Sequence, residues 1–155
     1  MIIKSFNLDV IKKQQSNFYL LYGENEGHKD EVINNYFFKD FNGETVKYDE
    51  DQILANKDIF FETCLNESLF ESEKLILVNR VTSKLYEIIV NLVTKKISNK
   101  KIIFNSSLLD KKSKIRKLFE TEKDLICIAF YQDNNISLFR IATDFFKKNN
   151  IQISS

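Results

Sequence analysis

The chain has no proline and no tryptophan, and its 155 residues include one histidine and two cysteines. The missing proline and tryptophan go with heavy use of Lys, Asn, Ile and Phe, a bias expected of an A/T-rich genome and no functional signal in itself. The lone histidine, His28, has no cysteine or carboxylate at metal-ligand spacing around it. That excludes a zinc-type site and leaves a solvated loop side chain as its reading. Cys64 and Cys127 lie far apart within apolar periodic segments, which excludes a disulfide framework and predicts buried, reduced thiols. There is no Gly-x-Ser-x-Gly elbow and no Ser, His and Asp set from which a hydrolase could be assembled. A formal net charge of +1 argues against a polybasic nucleic-acid binder. No apolar run approaches the length that spans a bilayer. The start, Met1-Ile2-Ile3-Lys4, carries no secretory pattern, so a cytoplasmic protein is expected.

What remains is 43% hydrophobic and 29% charged, the balance of a globular domain. Five short β-type runs alternate with helical stretches: Phe18-Tyr19-Leu20-Leu21-Tyr22, Thr45-Val46-Lys47-Tyr48, Leu75-Ile76-Leu77-Val78, Lys101-Ile102-Ile103-Phe104 and Leu125-Ile126-Cys127-Ile128-Ala129-Phe130. Three are almost continuously apolar, as strands covered on both faces of a mostly parallel sheet must be. Between them, Asp51 to Leu65 and Thr82 to Ile97 carry helical periodicity. The rhythm predicts an α/β fold, a doubly wound and mostly parallel five-stranded sheet. It breaks at Gln132-Asp133-Asn134-Asn135, after which Ile136 to Lys148 reads as one more amphipathic helix. Residues 1–133 are therefore expected to form one domain, and 134–155 the start of a truncated helical lid domain.

The first strand runs into Gly23-Glu24-Asn25-Glu26-Gly27-His28-Lys29-Asp30, where a phosphate-binding loop belongs in such a sheet. A working loop places four residues between its first glycine and a Gly-Lys pair, then Ser or Thr for magnesium. Here three residues separate Gly23 from Gly27, His28 intrudes before Lys29, and Asp30 replaces the hydroxyl. Glu24 and Glu26 put carboxylates where a triphosphate would sit. The third strand ends in Asn79-Arg80 rather than in the acid pair that holds and activates magnesium and water. No cofactor and no ATPase activity are expected. Asn105, after the fourth strand, reads as a turn residue, and Asp49-Glu50-Asp51 as solvated charges at a helix start. Lys95-Lys96, Lys100-Lys101 and Lys111-Lys112-Lys114 read as solvated helix ends.

Between the helix ending near Leu65 and the third strand, Leu69 and Phe70 stand together among Glu67, Glu71 and Glu73. Adjacent large apolar residues in a polar connection form either a plug over the sheet edge or an exposed anchor for a partner. With the Phe18-to-Gly23 strand and its degenerate loop, with Ser68-Leu69-Phe70 ahead of Lys74-Leu75-Ile76-Leu77-Val78, and with Leu109-Asp110-Lys111-Lys112-Ser113-Lys114 after strand four, the chain resembles the delta subunit of bacterial DNA polymerase III. That subunit is the clamp-opening arm of the sliding-clamp loader.

The resemblance covers essentially the whole chain and is most specific at Ser68-Leu69-Phe70. It implies a P-loop NTPase-like domain of AAA+ type without ATPase activity, and a clamp-binding element at Leu69 and Phe70 with Ser68 beside them. Glu67 stands where family members can carry another apolar residue. The partners implied are the sliding clamp (beta subunit) and the gamma/tau and delta prime loader subunits, with DNA touched only indirectly and no membrane. The protein would thus be a non-catalytic accessory of a DNA-directed DNA polymerase. A small P-loop-like nucleotide enzyme, or a structural loader subunit that does not touch the clamp, are the alternatives.

Overall fold

Runs such as Phe18-Tyr19-Leu20-Leu21-Tyr22 have no polar face, so they are stable as strands only where helices cover the sheet on both sides. The computed structural model describes residues 2–4, 16–66, 73–95 and 97–151, with the strand 2–4 described in its backbone alone. Its strands are β1 (Ile2–Lys4), β2 (Phe18–Gly23), β3 (Glu44–Asp49), β4 (Lys74–Asn79), β5 (Lys100–Ser106) and β6 (Leu125–Phe130). All pair in parallel, in the order β1-β6-β2-β5-β4-β3. Five are the strands expected. The sixth, β1, joins through Ile2 opposite Cys127 and Lys4 opposite Ala129. At three residues it is too short to register as a period.

Every residue of β2 and β6 is buried. On one face Leu20, Ile76, Phe104 and Cys127 pack under α2 (Glu50–Ala55), α3 (Lys57–Leu65), α4 (Tyr86–Val93) and α5 (Lys114–Thr121), which bury Ile53, Phe60, Ile89 and Phe119 against them. On the other, Tyr19, Leu21, Leu77 and Ile128 pack under α1 (Glu26–Val32). That helix continues as a π-helical turn over Ile33–Phe38, bringing Phe37 edge-on to Tyr19 at 4.9 Å. The sheet is doubly wound.

The helix expected from Asp51 to Leu65 is two helices. Asn56 leaves the helical region (φ −142°, ψ 70°) and separates α2 from α3, so that Ile53 and Phe60 both reach the core. The stretch from Thr82 to Ile97 opens with a 3-10 turn, Ser83–Leu85, and ends its α-helix at Val93. The last helix, α6 (Asn135–Lys148), is capped by Asn134, whose side chain accepts from the Ile136 and Ser137 amides. No residue of α6 is buried, and Ile136, Phe139 and Phe145 are exposed. No helix among the described residues is long and apolar enough to cross a membrane.

Both cysteines are free and buried, as expected, and burial pushes their thiols from 9.0 up to about 12. Iodoacetamide near pH 8 is therefore expected to leave both unmodified in the folded protein and to label two thiols after denaturation, as read by mass spectrometry. Labelling of the folded chain at the denatured rate would contradict that burial.

Candidate functional site

In an open parallel sheet, ligands bind outside the carboxyl ends of the strands, beside the point where the strand order reverses. That point lies at β2, which sits between β5 and β6. Gly23 makes the turn there. Its φ is +131°, and a Cβ would fall 1.9 Å from the Phe130 carbonyl oxygen. The Gly23 amide donates to the Ser107 carbonyl at 3.1 Å, tying the end of β2 to that of β5. Gly23→Ala is expected to destabilise the domain by about 1–3 kcal/mol, measured by urea denaturation, because both the φ and the space are denied to a side chain. Gly27, the second glycine of the motif, lies in α1 with nothing within 4 Å of a built Cβ. It performs no close-approach role.

Lys29 is the residue that should face a phosphate. Instead it is fully buried, and its ammonium donates to Glu26 Oε1 at 2.8 Å and to the Ser106 carbonyl at 2.7 Å. Asp30 points to solvent, and Glu24 is likewise exposed. His28 is not the solvated loop residue expected: it occupies the first turn of α1, half-buried, with its ring edge-on to Phe130 at 5.3 Å. Its amide is held by the Asn25 side chain. Among the described residues no group of His, Cys, Asp and Glu could hold a metal.

A cleft of about 490 Å3 opens at this end of the sheet between Glu26, Lys29, Asp49, Asn79, Arg80 and Asn105. Each of its two cations has its own carboxylate. Lys29 pairs with Glu26, and Arg80, in the left-handed region at φ 57°, pairs with Asp49 at 3.3 Å. A phosphate entering this cleft would meet no uncommitted cation among them.

Two expectations from the sequence are corrected here. Asn105 is a residue of β5 rather than of a turn, and its amide donates to Asn79 Oδ1 at 3.2 Å. Glu50 is not a solvated helix-start charge. It is buried, and its carboxylate accepts from the Thr82 amide at 2.6 Å and the Thr82 hydroxyl at 2.8 Å, tying the start of α2 to the turn after β4. The pairing spans 32 residues, so no local pattern announces it.

The described flanks of the other candidate site are at the opposite end of the sheet. Glu67, Ser68, Leu69 and Phe70 lie outside the described residues, but both flanks of their segment are defined. On the α3 side, Lys100 is buried at the start of β5, and its ammonium donates to the Cys64 carbonyl at 3.0 Å and to the Asn66 carbonyl. On the β4 side, the Glu73 carbonyl accepts from Glu44 at 3.0 Å, and Lys74 donates to the Asn99 carbonyl at 2.9 Å. Lys100 is thus a buried strand residue, not the solvated helix end read from the sequence. Lys95, Lys101, Lys111, Lys112 and Lys114 are exposed, and Lys96 lies outside the described residues. The described flanks, Asn66 and Glu73, thus stand where β4 and β5 start, roughly 20 Å of strand length from the carboxyl ends of the strands.

No model of a known protein family matches the chain, and a search of curated proteins finds no match either.

Proposed function

We propose that this chain is a non-catalytic subunit of the bacterial clamp loader, resembling the delta subunit of DNA polymerase III, which binds the sliding clamp and helps open it for loading onto DNA during replication. The observation that carries the reading is the capture of Lys29 by Glu26 and the Ser106 carbonyl. With both cations of the cleft at the ligand end held by the chain's own carboxylates, the remaining recognisable feature is Ser68-Leu69-Phe70, in the sequence between α3 and β4. An AAA+-type domain accommodates the all-parallel sheet with β5 between β2 and β4, and α6 with its exposed apolar residues suits the first helix of a lid.

The mechanism is contact energy. Leu69 and Phe70 insert into an apolar pocket of the ring, and the domain shifts the ring toward opening only as far as it binds the open or distorted form better than the closed one. ATP would act on the gamma/tau subunits, and delta prime would be a further neighbour. A nucleotide enzyme on this scaffold would need the Lys29 ammonium that Glu26 holds.

Capture of the cognate sliding clamp by the purified chain, and loss of capture when Leu69 and Phe70 are both alanine, is the deciding experiment. A chain that captures no clamp, or captures it equally well without both side chains, sinks the reading.

A further inference from the structure

We infer that the cleft at the carboxyl ends of β2, β4 and β5 is a latent oxyanion site whose resident anion is the chain's own Glu26 carboxylate. Three observations meet there. Lys29 is fully buried yet charged chemistry surrounds it: two of its three donor positions go to Glu26 Oε1 at 2.8 Å and to the Ser106 carbonyl at 2.7 Å. A buried ammonium needs an anionic partner, because desolvation without one is costly. Glu26 meets that need from a side chain that is itself 60% exposed. Its carboxylate therefore stands at the mouth of the cleft, between Lys29 and water.

Both residues line the same cleft of about 490 Å3, together with Arg80, Thr82 and Ser107. The space beyond Glu26 is thus continuous with a volume large enough for a phosphate group. Arg80 stands there too, 78% exposed, with its guanidinium paired to Asp49 at 3.3 Å. Glu26 does more than repel an incoming phosphate: it occupies the phosphate's place on Lys29. Removing its charge leaves Lys29 buried without an anion; the neutral side chain, on a residue 60% exposed, turns to water, and an external oxyanion then takes over the contact.

Inorganic phosphate is the probe, titrated calorimetrically into the full 155-residue chain as wild type, as Glu26→Gln, and as Glu26→Gln with Lys29→Met. The Gln variant is expected to bind phosphate at least about tenfold more tightly than the wild type, and the double variant is expected to lose that gain. Thermal melting reads the same event through stability: phosphate raises the melting temperature of Glu26→Gln and leaves the wild type unmoved. Should Glu26→Gln be unfolded in phosphate-free buffer, recovery of its circular dichroism on adding phosphate supports the site, and failure to recover overturns it. Equal phosphate affinity in wild type and Glu26→Gln overturns it too, as does a gain that survives loss of Lys29. The inference does not rest on the clamp: clamp capture by Glu26→Gln is expected to match the wild type, so the two proposals fail separately.

Discussion

A chain with both Leu69 and Phe70 replaced by alanine is expected to keep its fold and to bind the sliding clamp about a hundredfold to ten-thousandfold more weakly. The range follows from area. Burying each of these side chains in a partner's pocket contributes about 1.5–3 kcal/mol, and the two act side by side. The flanks of the segment are fixed by main-chain bonds and by Lys100, none of which uses the Leu69 or Phe70 side chain. The substitution therefore leaves those flanking bonds intact. Biolayer interferometry against immobilised clamp gives the affinity, and circular dichroism checks the fold. A loss below about threefold would remove the pair from the interface, since it is smaller than burial of even one such side chain supplies. Single substitutions separate the two, and Phe70, with the larger area, is expected to carry more of the loss.

Lys100→Met is expected to lower stability by about 2–5 kcal/mol, since a thioether fills the volume and donates nothing. The Cys64 carbonyl lies in the core and loses its donor outright, whereas the Asn66 carbonyl, on an exposed residue, can turn to water. For a domain whose whole stability is of the order of 5–15 kcal/mol, that is a large share, and urea denaturation measures it directly. The same variant is expected to weaken clamp binding by less than the double alanine does, because it frees one end of the segment while leaving the apolar pair in place. A stability loss under about 1 kcal/mol would mean that water replaces the ammonium at both carbonyls, and that Lys100 does not brace the segment.

The architecture was legible because β2, β4 and β6 are almost continuously apolar, a pattern that demands a sheet with two covered faces. β1 escaped notice because three residues carry no period. The break at Asn56 was hidden for a different reason: apolar spacing runs on through it, and only the backbone shows the turn. The degenerate loop was legible as a spacing error and as a surplus of carboxylates. Its actual state was not, because the Ser106 carbonyl that receives Lys29 lies 77 residues away. Glu50 and Lys100 were misread alike. Each is a charged residue in a charged local stretch, so composition suggested solvent, while partners 32 to 36 residues distant take them inside. Burial of a charge is decided by what the fold brings to it, and neighbours in sequence say little about that.

All six strands of the described residues run the same way, and this direction keeps the two ends of the sheet apart. Loops at the two ends of such a sheet share no side chains, so selection can act on one end without being felt at the other. A substitution in the turn from Gly23 to Asp30 therefore leaves the bonds at the starts of β4 and β5 untouched. Gly27, with open space where a side chain would go, can be replaced without a steric clash. Gly23, jammed against the Phe130 carbonyl, is what the fold itself refuses to release.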